Sequence, residues 1–283
     1  MTQAIARFTV DAFGRFGPGQ VCVRWEANPR PTTEELEAAI ASAWESAAAD
    51  CAARGAMLYN GPLVRWRGHS IRNGMLHIDA GPTNFREFVG TNLYSRARID
   101  EIGRERFANP IGTTGTVITA DGWLVYGRRS HRVAWHAGYL HTFGGALEAA
   151  DLRPDGSVDA FAAVHRELAE ELRVEAEEIE CTSCVGLIHD HEIWQPELLF
   201  EIRLRVDCGA LLGRLDVDDP HQEHVSLEPV RDEPDALVPF IRQAAPVAPI
   251  GVGAICLYGR HRWGEAWYAH ALRQLWPEEG ERA

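Results

Sequence analysis

The 283 residues, 46% of them hydrophobic, suffice for one large domain or two modest ones with buried cores. A net charge of −13 excludes a general nucleic-acid backbone binder, and 28 basic side chains that are all Arg exclude Schiff-base chemistry and a lysine phosphate loop. No run approaches the roughly 20 apolar residues of a membrane span, and Met1 to Gln20 lacks the apolar block of a secretion signal, so a cytoplasmic chain without a membrane partner is expected.

In chain order, residues 5–10 and 19–26 read as strands. Pro31-Thr32-Thr33-Glu34-Glu35 then opens a helix with Thr32 and Glu35 at capping-box spacing, and Leu36, Ile40, Trp44, Ala47 and Cys51 form its apolar face. Asn73-Gly74 separates residues 70–72 from 75–78 as a type I′ hairpin turn. Charged, irregular sequence from Ile99 to Pro110 suggests a boundary near residue 105, dividing a small N-terminal α+β domain (1–105) from a second domain (106–283). In the second, strands at 115–120 and 123–128 flank Asp121-Gly122. A helix follows at 159–173, then strands near 184–189 and 197–206, a helix near 233–243, a strand near 251–258 and a terminal helix after Trp263. This interleaving predicts an α/β fold with a mixed sheet covered on both faces. The six cysteines are expected to be reduced. Cys181 and Cys184 have metal-like spacing but lack a second ligand pair, so both are read as core thiols on a strand.

The chemistry concentrates in Gly144-Gly145, a loop, and then Arg166-Glu167-Leu168-Ala169-Glu170-Glu171-Leu172-Arg173-Val174. On a helix, Glu167, Glu170 and Glu171 stand at i, i+3 and i+4 and project from one face. Like charges at that spacing repel unless a cation sits among them, and Mg²⁺ or Mn²⁺ prefers such hard oxygen ligands. Asp159 is the expected N-cap, with Phe161, Val164, Leu168 and Leu172 anchoring the opposite face. Taken alone, the glutamates would fit a solvated acidic face. The preceding Gly-Gly and the Arg directly before the first Glu favour the metal site.

These residues resemble the Nudix box: Gly, five residues, Glu, seven residues, Arg-Glu, an apolar residue, any residue, Glu-Glu, any residue, Gly, an apolar residue. The match is complete over Arg166 to Glu171 and includes Val174. Arg173 replaces the usual Gly, and the interval after Gly145 is longer, with Val158 where an early Glu would fall and Glu148 as its possible substitute. The resemblance implies a Nudix α/β/α sandwich preceded by the small N-terminal α+β domain. It makes Glu167, Glu170 and Glu171 metal ligands, Arg166 the partner that orients a carboxylate, and the carbonyl of Gly144 or Gly145 a further ligand. The segments Phe85 to Asn92, Asn109 to Gly112, Leu124 to Ser130 and Gly253 to Tyr258 are similar to the Nudix branch that hydrolyses UDP-glucose and UDP-galactose, which also has an N-terminal extension.

Beyond the helix, Glu223 lies where many Nudix enzymes place a loop carboxylate that acts as ligand or general base, with an ordinary surface charge as the alternative. Glu197 is a second candidate of the same kind. His189, His191 and His224 read as polar loop residues, because none has a zinc partner at helical spacing. Arg128, Arg129 and Arg132 are candidate phosphate grips. Phe85, Phe88 and Asn92 are candidates for a nucleoside pocket, with packing as the alternative for both aromatics.

The expected reaction is Mg²⁺-assisted attack of water on a diphosphate, with Glu170 or Glu223 taking the proton. The expected partner is a small-molecule nucleotide, a UDP-sugar first. ADP-ribose, a dinucleotide, a coenzyme A derivative, or nucleotide sensing without turnover are the alternatives. A homodimer is left open, as is whether the N-terminal unit meets substrate or a second copy.

Overall fold

A computed structural model describes residues 7–55, 58–133, 135–217, 219 and 222–277. Its elements in order are β1 (Phe8–Phe16), β2 (Val21–Trp25), α1 (Glu34–Arg54), β3 (Pro62–Arg72), β4 (Met75–Asn84), α2 (Phe85–Phe88), α3 (Ile99–Ile102), β5 (Gly112–Ile118), β6 (Trp123–Arg129) and β7 (Leu140–His141). They continue with β8 (Ser157–Val158), α4 (Ala160–Leu172), β9 (Ile179–Asp190), β10 (Pro196–Leu204), α5 (Cys208–Leu212), β11 (His224–Arg231), α6 (Leu237–Ala244), α7 (Pro249–Trp263) and α8 (Glu265–Leu275).

Two sheets organise the chain. The larger runs β1-β9-β10-β5-β6-β11, with β7 added on β6, and it is mixed because β10 and β5 are parallel while their neighbours are antiparallel. Side chains alternate faces along β5 and β10. Val117, Leu198, Phe200 and Ile202 join the core under α4, whereas Ile118 and Leu199 join the cores under α7. The result is the expected α/β/α layering. The smaller sheet, β3-β4-β2-β8, adds Val23, Val64, Leu76 and Ile78 to the α4-side core.

The boundary expected near residue 105 is crossed in both directions. β1 comes from the first segment yet forms the edge of the large sheet against β9, and β8 comes from the second yet closes the small sheet against β2.

Local sequence explains most elements. In the β3–β4 hairpin, Asn73 and Gly74 take φ of 52° and 73°, the paired positive values of a type I′ turn. The cap of α1 is Thr33, whose hydroxyl accepts from the Leu36 N–H; Thr32 instead donates to Glu37 at 2.6 Å. The chain over 251–258 is helical, not the expected strand. It lies within α7, whose residues Pro249 to Gly259 are buried all round, so no one-sided period marks it as a helix. Gly253 lets this helix approach β9 closely, since a Cβ there would overlap the Ile188 side chain.

The six cysteines are free thiols, as expected, but of the Cys181 and Cys184 pair only Cys184 belongs to the core, Cys181 being exposed on β9. His189 is a strand residue, not a loop one: it is 3% exposed and its Nδ1 pairs with Asp11. No helix among the described residues is long and apolar enough to cross a membrane.

Candidate active site

Helix α4 begins where the Asp159 carboxylate accepts the Ala162 N–H at 3.0 Å, and it buries Phe161, Val164, Leu168 and Leu172 against the sheet. That anchoring fixes the rotation of the helix and directs the acidic face towards the Gly144-Gly145 corner. The helix ends at Arg173, whose φ of 53° is the left-handed conformation that glycine adopts most easily. The usual Nudix glycine is therefore replaced without loss of the turn, and the Arg173 guanidinium lies 3.5 Å from both Asp216 and Asp219.

The three glutamates have different surroundings. Glu171 is buried and accepts the Gly144 N–H at 2.9 Å. Burial, then the charge of Glu223, push its proton affinity well up, with Arg129 and the Gly144 N–H opposing. Glu167 accepts from Arg166 at 2.7 Å; burial outweighs that guanidinium and pushes its pKa up to about 7. Glu170 is more open, its side chain 61% exposed, and it meets Arg166 at 3.7 Å. Arg166 thus ties Glu167 and Glu170 together and reaches Asp151 at 3.5 Å.

The glycines make room for this cluster. A Cβ on Gly145 would fall 2.7 Å from the Glu167 carboxyl, and one on Gly144, at φ 153°, would overlap the Thr113 carbonyl. The Gly145 carbonyl, expected as a ligand, already accepts two hydrogen bonds from Thr113, N–H at 2.8 Å and Oγ1 at 3.2 Å. Glu148 is exposed at the start of the turn that carries Asp151, and its charge adds to the acidic surroundings of Arg166.

From the far side, Arg129 ends β6 and holds Glu223 at 3.1 Å, and both charges are felt at Glu171. His224, expected in a loop, begins β11 at 1% exposure, with Nδ1 4.0 Å from Glu171. Its ring packs edge-on against Phe143, and burial, then Arg129, pull its pKa down to about 3, leaving a neutral imidazole beside Glu171. Gln222 donates to the Glu171 carbonyl at 3.2 Å. Sequence reasoning missed His224, Gln222 and Asp151 as site residues. One signal was available for His224: Gly127, in mid-strand, where a Cβ would overlap the His224 ring.

Other expected site residues lie elsewhere. Arg128 is committed to a bidentate pair with Glu228 and to the carbonyls of Gly138, Ala244 and Pro246, which makes it a structural tie instead of a phosphate grip. Arg132 is exposed and donates to the Val217 carbonyl at 3.5 Å. Asn92 is buried and donates to the Asn109 side chain and the Ile193 and Trp194 carbonyls, so it braces loops and has no face for a nucleoside. Phe85 packs on Trp44 and Phe88. Glu197 shares the α7 face with Leu199, across the sheet from α4.

Glu167 and Glu171 supply hard oxygen donors whose proton affinity burial raises beyond what Arg166 and Arg129 offset. A divalent cation answers that deficit, so the donor chemistry fits Mg²⁺ or Mn²⁺. Among the described residues, however, no three His, Cys, Asp or Glu side chains are gathered closely enough to hold a metal as they stand.

No family model matches the chain. It is 32% identical over 130 residues to the human uridine diphosphate glucose pyrophosphatase NUDT22, an alignment covering 41% of each chain, so less than half of that relative is spanned. Similar solved structures include DR0079 from Deinococcus radiodurans, at 19% identity, TM-score 0.36 and coverage of 53% of this chain and 81% of that one. Another is a MutT protein from Methanosarcina mazei Go1, at 15% identity, TM-score 0.32 and coverage of 54% and 94%.

Proposed function

We propose that this chain is a Nudix hydrolase, a divalent-metal-dependent diphosphatase that cleaves a UDP-sugar to UMP and a sugar 1-phosphate. The observation that carries the reading is the buried Glu171, held by the Gly144 N–H and facing Glu167 and Glu223 in a corner short of positive charge. The 32% identity to a UDP-glucose pyrophosphatase supports the substrate class.

When bound, Mg²⁺ would neutralise phosphate charge and lower the pKa of a water molecule. Glu167 and Glu171 would hold it, one oriented by Arg166 and the other by the Gly144 N–H. Arg129, tied to Glu223 at 3.1 Å, would offer a guanidinium to the phosphate. Glu223, whose side chain is 48% exposed, would take the proton of the attacking water, with Glu170 as the second acceptor.

The test is a product assay across UDP-glucose, UDP-galactose, ADP-ribose, a dinucleotide and a coenzyme A derivative, with Mg²⁺ or EDTA. Mg²⁺-dependent release of UMP from UDP-hexoses is expected. Glu171→Gln should lower turnover on the order of 10²- to 10⁴-fold. Preference for ADP-ribose would overturn the substrate, and lack of turnover on every compound would overturn the enzyme.

A further inference from the structure

A cavity of about 500 Å³ opens beside β3, away from the carboxylate helix, lined by Asn28, Arg65, Trp66, Arg67, Arg104 and Glu105 with Pro29 and Pro31. None of the acidic residues of the α4 site borders it. Arg65 is 5% exposed, yet it forms no ion pair among the described residues. Its guanidinium donates to the Glu105 carbonyl at 3.2 Å and the Asn28 carbonyl at 3.4 Å, while Nε has no partner.

A buried cation normally requires a counter-charge. Here the nearby groups add positive charge: burial, then Arg67, depress the proton affinity of Arg65, Glu87 only partly opposes this, and Arg30 adds to it. Arg67 pairs with Glu26 at the rim, at 2.7 Å. Arg104 is 58% exposed, stays 3.8 Å from Asp100, and rests over the Trp194 ring at 4.3 Å. Glu105 is the one carboxylate among the lining residues, and its side chain turns back against Gly103. The buried Trp66 Nε1 is also without an acceptor.

We propose that this cavity is an anion site for a phosphate monoester of a small polar molecule. Guanidinium forks match phosphate oxygens, and Trp66 with the two prolines supplies an apolar flank. The volume is too large for phosphate alone and falls within the roughly 300–1,000 Å³ of small-molecule pockets. The inference is independent of the catalytic reading, because it uses none of that site's residues.

Calorimetric titration of the full chain in EDTA, with glucose 6-phosphate, inorganic phosphate and acetate as separate probes, tests it. Saturable binding of glucose 6-phosphate is expected, stronger than that of inorganic phosphate, with acetate weakest. Arg67→Ala/Arg104→Ala should weaken that binding at least about tenfold, the loss expected for charged hydrogen bonds, while Arg129→Ala leaves it unchanged. Both substituted side chains reach the surface, and thermal unfolding checks that the double variant folds; if it does not, each single variant replaces it. No saturable binding, equal binding by the double variant, loss in Arg129→Ala alone, or acetate as the better ligand would overturn the proposal.

Discussion

Glu171 and Glu197 are both buried glutamates with raised proton affinity, and only their neighbours separate a site from a structural acid. Glu171 receives a backbone N–H and feels Arg129 and Glu223; among the described residues, Glu197 has an unpartnered Oε2 and only Asp190 as a charged neighbour. The sign of the resulting pH dependence follows from linkage. A carboxylate whose folded pKa is raised contributes stability that is present below its unfolded value and lost as pH rises through the folded one. For Glu167 that window runs from 4.5 to about 7. Glu171 loses stability in the same direction, as do Glu197 and Asp190, but only Glu167 and Glu171 meet a metal in the proposed site. His224, depressed to about 3, acts oppositely: its stability is present above 6.5 and is lost as pH falls from 6.5 to about 3. Melting with EDTA or Mg²⁺ isolates the metal-linked part. The gain in Tm on adding Mg²⁺ should be larger at pH 7.5 than at pH 5, and Glu167→Gln should shrink that difference. An equal gain at both pH values would show that Glu167 and Glu171 do not bind the ion.

At the scale of elements, the amphipathic and turn-bounded segments were legible, as were the buried strands β5 and β10, whereas the fully buried helix α7 was not. Helix α4 could be read because Asp159 caps it and its apolar residues recur on one face, while Asn73-Gly74 announced the β3–β4 hairpin. Helix α7 defeated the same reasoning. Its apolar run, Gly251 to Tyr258, carries no period, because β1, β5, β9 and β10 contact one side while α8 contacts another. The pairing of Arg128 with Glu228 was equally invisible in the sequence, since the two lie 100 residues apart. The candidate site was legible in its helix and Gly-Gly corner, but not in His224, whose strand appears only once β6 exists to pair with it. The burial of α7 gives a direct test. Leu257 is fully buried in the core between α7 and the sheet, so Leu257→Ala should destabilise by roughly 2–5 kcal/mol. Denaturant midpoints measure this. A shift under about 0.5 kcal/mol, the scale of an ordinary surface change, would mean that α7 does not pack as described.

Across the whole molecule, the strand exchange bears on whether residues 106–283 form an independent catalytic unit. β1 pairs with β9 from Phe8↔Asp190 to Phe16↔Cys184, and Phe8, Val10 and Phe13 pack on the core between β9 and α7. Val64 of β3 donates to the Leu147 carbonyl and accepts from the Ile111 N–H, which braces the strand segment that follows Gly144-Gly145. Removing residues 1–105 would therefore strip an edge strand, expose apolar side chains on both faces of the large sheet and release the corner that holds Glu171. Exposed strand edges also pair with other chains. The fragment 106–283 should lack a cooperative thermal transition, associate at micromolar concentration, and lose the Mg²⁺-dependent gain in Tm at pH 7.5. The full chain should keep all three properties of a folded, metal-responsive protein. Calorimetry and light scattering on the two proteins decide the matter. A monomeric fragment that melts cooperatively and still responds to Mg²⁺ would show that the division near residue 105 separates true domains, and that β1 and β3 merely decorate a self-sufficient fold.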